Sequence, residues 1–508
     1  MRRASRLTLA LVVALLGSAV LAATALGHAT LLESKPRPGQ VLERSPRAVV
    51  LVFDEAIDPE FVQLRVEDRA GRRVDRGGPY HPGGREERVA VRLAAGLEGS
   101  FAASYRVISE DGHPVVKRTA FRVRPPMREQ SGQAEEGAMS PPAGAGPGGP
   151  AMKPAGGGHE EIGTGEMTEA AFAVTRGLGY LAIALAVGGA MFLFVVWLPA
   201  LARVGGSASG WLVASETFAR IVRRIVEGAV ILGLAATAAT IVFQAATATG
   251  TSFWAAFDPD AIEAVSDTRP VRAWGVRLGI WMVFGIALLL VLRPGHEPGL
   301  RRAVLGATGA APGPPLSRPL MLVIAAVSIA LALTAALAGH SATHSPSGVL
   351  VLADTLHVLS MSAWLGGLAL LLLALPAAAR ALHARERIPL RAAAVARFSR
   401  LALVSVALLL LSGAVQSIWL VGALDAFVET AYGRLVLAKI ALFVGLISFG
   451  AYNQRRLLPR LRAVENRHEE PERAAALLRR SVAWEIALAL VVLGVVSVLV
   501  ATEPAAGA

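Results

Sequence analysis

The feature that most constrains this chain is a train of eight apolar runs, near 170–199, 218–247, 272–293, 319–339, 348–375, 397–421, 433–454 and 480–502. Each is long enough to cross a hydrocarbon layer of about 30 Å as a helix. The odd loops between them are basic: Arg203, Arg220, Arg223 and Arg224; then Arg301 and Arg302; then Arg380, Arg385, Arg387 and Arg391; then Arg455, Arg456, Arg460 and Arg462. The even loops are neutral or acidic, with Asp258, Asp260, Glu263 and Asp267 in loop two and Asp425 and Glu429 in loop six. Excess Lys/Arg marks cytoplasmic loops, so the odd loops are placed inside. Both the segment ahead of the first run and the C-terminus then lie on the extracytoplasmic side of a cytoplasmic membrane. The same placement accounts for much of the +12 formal charge, which argues against nucleic-acid binding despite its sign.

The segment ahead of the runs has a different character. Met1-Arg2-Arg3-Ala4-Ser5-Arg6 precedes an apolar stretch from Leu7 to about Leu26 that ends in small residues, the pattern of a secretory signal over 1–27. Ala25 and Gly27 occupy the −3 and −1 positions of a cleavage before His28, an uncleaved anchor being the alternative. Residues 28–125 read as a small all-β domain of Greek-key sandwich or barrel type. Its expected strands are Val49 to Phe53, Val62 to Val66, Val89 to Leu93, Phe101 to Val107 and Ala120 to Val123. Turns are expected at Pro36-Arg37-Pro38-Gly39, Asp68-Arg69-Ala70-Gly71 and Gly77-Gly78-Pro79. Residues 126–168 are mostly Gly, Pro, Ala, Ser and Glu, too poor in apolar side chains to offset ordering entropy, and read as a flexible tether to a membrane domain over 169–503.

There is no cysteine, so a metal site here must use His, Met or carboxylate. A mature chain beginning at His28 offers its amine and Nδ1 as a chelating pair. One further imidazole and a carboxylate complete a tetragonal N/O set of the kind Cu(II) prefers. Asp111 and His113, at i and i+2 in Ser109-Glu110-Asp111-Gly112-His113-Pro114, point to one face of an extended segment. Taken alone, Asp-x-His reads first as a solvated turn; the N-terminal His changes that balance. His81, in a Gly/Pro-rich stretch, is expected to be an exposed loop residue.

His28-Ala29-Thr30-Leu31-Leu32-Glu33-Ser34-Lys35-Pro36, Leu51-Val52-Phe53-Asp54-Glu55, and Val107 through Val115 with Phe121-Arg122-Val123 resemble the CopC family of exported copper-binding proteins. The resemblance implies a cupredoxin-like β-barrel binding Cu(II) through His28, Asp111 and His113, with Glu55 a carboxylate beside the site. Some members add a Met-rich Cu(I) site; residues 28–126 contain no Met, so a single Cu(II) site is expected in this domain.

In the membrane half, ionisable groups inside apolar runs are functional candidates by default. The densest group is Gly339-His340-Ser341-Ala342-Thr343-His344, followed by Asp354, His357 and Met361 at i, i+3 and i+7 on one helical face. A carboxylate, an imidazole and a thioether below a mouth with two His can accept copper, as Cu(I) or Cu(II), and pass it inward. The plainer alternative is that His340 and His344 cap loops and His357 hydrogen-bonds a neighbouring helix. Met191, Met282 and Met321 are expected to pack, Lys439 to lie level with Asp354, and Glu227 and Glu485 to face loop arginines.

Asp354-Thr355-Leu356-His357-Val358-Leu359-Ser360-Met361-Ser362-Ala363-Trp364-Leu365-Gly366-Gly367-Leu368 resembles the signature of the CopD family of copper-resistance membrane proteins. Arg397-Phe398-Ser399-Arg400, Tyr432-Gly433-Arg434 with Lys439, Ala451-Tyr452-Asn453 and Leu477-Leu478-Arg479-Arg480-Ser481 follow in family order. The two resemblances together imply a non-enzymatic protein of copper homeostasis that takes up copper outside the bilayer and transports it, or hands it to a membrane client or exported chaperone; the inward direction is expected from the topology, which puts the tight site outside. No Walker-type Gly-x-x-x-x-Gly-Lys-Ser/Thr sequence is present. The other readings are a membrane redox protein with haem or copper and, for the N-terminal His, a copper monooxygenase.

Overall fold

A computed structural model of the chain describes residues 31–108 apart from 55, 58, 60 and 61, then 114–124, 166–204, 209–249, 253–291 apart from 267, 318–457, 471–502 and 504–505. The chain divides into two compact units, one of strands and one of helices.

The β unit contains β1 (Leu31–Lys35), β2 (Val41–Leu42), β3 (Ala48–Phe53), β4 (Gln63–Asp68), β5 (Asp75–Tyr80), β6 (Arg88–Leu93), β7 (Gly99–Ile108) and β8 (Pro114–Val123). They form two four-stranded sheets, ordered β1-β3-β6-β5 and β2-β8-β7-β4. Alternate residues turn inward, as the period of two requires: Val49, Leu51 and Phe53 on β3 meet Phe101, Ala103, Tyr105 and Val107 on β7 in one core. Phe53 and Tyr105 touch edge to face at 6.1 Å between centroids. The longest pairing is β7 with β8, antiparallel from Gly99↔Val123 to Ile108↔Pro114.

All five expected strands fall on observed ones, but Gly77-Gly78-Pro79 is not the expected turn. It lies inside β5. Pro cannot donate to a ladder and Gly packs nothing, yet β5 is an edge strand, where both are tolerated. Its register with β6 slips between Arg76 and Tyr80, and Gly77 sits at φ 76°, so the segment is a bulge. His81 is also corrected. It is half-buried, and its Nδ1 lies 2.7 Å from the Arg88 carbonyl, which can only accept, so Nδ1 carries the proton. The turn at Asp68 forms as expected: its Oδ1 accepts from the Ala70 and Arg72 amides at 2.8 and 2.9 Å.

Among the described residues the helical unit has eight long helices. They are α1 (Glu166–Met191, continuing through Phe192–Trp197 into Leu198–Val204), α2 (Ser209–Thr249), α3 (Arg269–Val291), α4 (Arg318–Leu337), α5 (Ser347–Arg380), α6 (Ala384–Leu420), α7 (Ala431–Tyr452) and α8 (Pro471–Leu499). Six helical stretches are long and apolar enough to cross a membrane, those over α1, α2, α5, α6, α7 and α8, while the apolar part of α4, Met321–Leu337, is shorter. Within α1, Phe192–Trp197 is a π turn in which the Leu198 amide reaches back to Leu193. Pro199 follows directly and has no N–H to continue a regular ladder.

Three helix starts differ from expectation, α8 beginning at Pro471 rather than near 480. α2 begins at Ser209 and α6 at Ala384, so Arg220, Arg223 and Arg224, and Arg385, Arg387 and Arg391, stand on helices rather than in loops. The reason is amphipathicity: Trp211, Ala214, Phe218 and Val222 are buried at helical spacing, which carries the helix past the charged positions between them. α1 and α5 pack backbone to backbone. A Cβ placed on Gly366 would lie 2.7 Å from the Gly188 Cα and against the Ala184 carbonyl oxygen, a crossing that only small residues permit.

Candidate functional site

The expected Cu(II) ligands His28, Asp111 and His113, and the neighbouring Glu55, lie outside the described residues. The site described here is therefore the one on the helices.

Between α4 and α5 the chain makes a single 3-10 turn, His340–Ala342. His340 is buried rather than open at a mouth. Its ring meets those of His344 and Tyr432 edge-on, at 6.4 Å in each case, and its carbonyl lies 3.2 Å from His344 Nδ1. The neighbouring Ser341 hydroxyl donates to Asp354 Oδ2 at 3.2 Å, which ties this turn to α5. Asp354 also interacts electrostatically with Lys439 of α7 and Arg176 of α1. Lys439 thus faces Asp354 as expected, through space rather than in an ion pair.

One turn further along α5, His357 Nδ1 lies 2.9 Å from Ser412 Oγ on α6. Ser412 Oγ is also 2.6 Å from the Leu408 carbonyl. A hydroxyl has one proton; with that proton on Leu408, Nδ1–H must donate to Ser412 and Nε2 keeps its lone pair. A neutral imidazole whose other nitrogen is fixed by a hydrogen bond is the form that ligates metals. Gly413 borders the same ring, and a Cβ there would sit 3.6 Å from His357 Cε1. The hydrogen bond to a neighbouring helix, offered by the sequence as the plainer role, and ligand-competent chemistry are therefore compatible. Met361, a further turn along, packs against the apolar core of the helices.

Among the described residues no group of three or more His, Asp or Glu side chains is close enough together to hold a metal ion. His340, His344, Asp354, His357 and Met361 are successive positions, spread over about 10 Å of helix rise between Asp354 and Met361.

Of the remaining polar groups, Glu227 pairs with Arg223 at 2.7 Å within α2. Glu485 accepts from Asn453 at the end of α7; Arg460 and Arg462 of the adjoining loop lie outside the described residues. Met191 and Met321 pack against the core, whereas Met282 is 57% exposed and does not. The sequence reading passed over Arg176 and Arg277. Both stand inside apolar runs, the signal that singled out His357, and together with Tyr180, Thr237 and Thr240 they line a polar cavity among α1 to α4.

Residues 31–124 match the family model of the CopC domain, and residues 392–499 match that of CopD, copper resistance protein D. The CopD match covers most of α6 and runs through α8, so Asp354, His357 and Met361 precede it. A curated relative, copper transport protein CutJ of Bacillus subtilis (strain 168), is 26% identical over 431 residues, covering 84% of this chain and 68% of its own length. Another, copper resistance protein D of Pseudomonas syringae pv. tomato, is 28% identical over 285 residues, covering 56% of this chain and 84% of its own. The solved structure of CopC from Methylosinus trichosporium OB3b is 26% identical, covers 19% of this chain and 95% of that one, and aligns with a TM-score of 0.18.

Proposed function

We propose that this chain, a CopC domain followed by a CopD domain on one multi-pass membrane protein, binds copper outside the membrane and transports it across, as part of copper resistance. The observation that carries the reading is the order of the two matches on one chain, residues 31–124 and then 392–499. In this reading the β unit is a cupredoxin-like Greek-key barrel on the extracytoplasmic side. Its Cu(II) ligands are His28, Asp111 and His113, with Glu55 nearby. All eight long helices span the cytoplasmic membrane, and the C-terminus is also outside.

Copper then passes His340 and His344, is attracted by Asp354, and is ligated by His357 Nε2 and the Met361 thioether. Softer donors deeper in the path suit Cu(I) better than Cu(II). Inward movement is favoured because the tighter site stands outside and because a negative interior draws a cation in. Catalysis has no part in this account.

The experiment is Cu(II) titration of the full mature chain, followed by electron paramagnetic resonance, beginning once at His28 and once with an alanine placed ahead of it. One tight equivalent with nitrogen-rich tetragonal parameters, lost in the extended chain, is the expected result. Binding indifferent to the extension removes the N-terminal ligand set from the account.

A further inference from the structure

We propose that the cavity among α1 to α4 binds a small inorganic anion, of the size and charge of chloride, between the guanidinium groups of Arg176 and Arg277. The cavity is lined by Thr175, Arg176, Tyr180, Thr237, Trp274 and Arg277, among others. Arg176 is 8% exposed, Thr237 and Trp274 are 2% exposed, and Arg277 and Tyr180 are half-buried, so the site is set into the bundle.

Each arginine is held in place by neutral groups. Arg277 Nε donates to Thr334 Oγ1 at 3.0 Å and its Nη2 to the Thr334 carbonyl at 2.7 Å. Arg176 lies 5.4 Å from the centroid of the Phe172 ring. Neither makes an ion pair with a carboxylate among the described residues. The acid that acts on Arg176 is Asp354, which faces Lys439 as well. Arg176 and Lys439 therefore share one carboxylate, and among the described residues no carboxylate acts on Arg277. Uncompensated charge in a low-dielectric interior is costly, and such groups are normally paired.

The threonines do not supply the compensation. The hydroxyls of Thr175, Thr237 and Thr240 donate to carbonyls of their own helices, on Phe172, Gly233 and Ala236, at 2.9, 2.6 and 2.7 Å. The Thr334 hydroxyl does the same toward Leu331 at 2.8 Å. One N–H of Arg176 is engaged by the Tyr180 oxygen; the remaining donors are the other outer N–H groups of the two guanidiniums, with the Tyr180 O–H and the Trp274 indole beside them. That set is cationic and donor-rich, the chemistry of an anion site. The cavity, about 10 Å³, admits one water-sized sphere. It selects a monatomic or similarly compact anion and rejects a lipid phosphate. The proposal does not depend on copper.

The test uses the purified full chain in lipid nanodiscs, copper-free, at constant sodium concentration. Thermal unfolding is followed as chloride replaces gluconate. A saturable rise of about 2–6 °C is expected, from preferential binding to the folded state. It should be reproduced by bromide and lost in Arg176→Gln and Arg277→Gln, and it should persist in Arg224→Gln at the other end of the bundle. Equal stability in chloride and gluconate, or an unchanged rise in either arginine variant, overturns the proposal. If those two variants do not fold, Thr334→Ala decides. It keeps both charges and the bond to the residue-334 carbonyl but removes the one to Oγ1 that orients Arg277 Nε, and the chloride midpoint should rise several-fold. An unmoved midpoint, or 35Cl line broadening on the unaltered chain that bromide does not compete, overturns it equally.

Discussion

Substituting alanine at three glycines of α5 measures how closely the helix bearing His357 is held. At Gly366 the new Cβ meets only backbone, the Ala184 carbonyl oxygen and, at 2.7 Å, the Gly188 Cα. Backbone cannot rotate away, so α1 and α5 must separate. Overpacking of this kind costs about 3 kcal/mol, the upper end of the usual range. The better helix propensity of alanine returns about 1 kcal/mol, leaving a loss of about 2 kcal/mol. For a unit running from Thr164 to Ala508 that is a fall in Tm of about 3 °C. At Gly367 the Cβ meets the Phe398 ring, a side chain that can tilt, so strain and propensity offset each other to within about 1 kcal/mol. At Gly348 nothing lies within 4 Å, and Gly348→Ala should raise Tm slightly. The assay is thermal unfolding of the purified chain, and the predicted order is G348A at or above the unaltered protein, then G367A, then G366A. A G366A protein as stable as the unaltered one would refute the backbone-to-backbone crossing.

Ser412→Ala removes the acceptor that fixes the His357 tautomer. Copper transport should fall by about 10–100-fold while helical circular dichroism is unchanged, and an undiminished rate would separate Ser412 from the path. His81→Ala loses the bond to the Arg88 carbonyl and should destabilise the β unit by about 1 kcal/mol without changing Cu(II) stoichiometry. Asp68 has its carboxyl held below the ordinary range, chiefly by the hydrogen bond from the Arg72 amide; desolvation opposes this, and the Arg72 side chain and the Ala70 amide add to the lowering. A depressed carboxyl contributes stability above its unfolded value, and that contribution is lost as pH falls through the folded one. Asp68→Asn should therefore be less stable at neutral pH and should lose less on acidification below about pH 4, as read from unfolding midpoints across that range.

Legibility in the sequence followed the strength of the periodic signal. Strands with inward residues at i, i+2 and i+4, such as Val49, Leu51 and Phe53, stood out because alternation is local. β5 did not, because its glycines and proline are turn signals everywhere except on an edge, and edge position is a property of the sheet. Helix existence was legible from apolar length, but the starts of α2 and α6 were not. There the helix continues on an amphipathic face that hydropathy alone reads as loop. The same limit shaped the site. The spacing of Asp354, His357 and Met361 was visible along one helix. Of the groups around it, Lys439 was marked as a charge within an apolar run, whereas Ser341 and Ser412 are hydroxyls whose role depends on the fold and carry no local mark. Arg176 and Arg277 did carry one, a charge within an apolar run, and only the structure brings them to a common cavity.

The most direct test of copper transport is uptake of radioactive copper by proteoliposomes holding the full mature chain, inside negative, compared with the His357→Gln variant. The account predicts saturable uptake by the unaltered chain and loss of most of it in the variant, with the exported Cu(II) signal unchanged in both. Uptake no greater than in protein-free liposomes, or equal uptake by the variant, would contradict it.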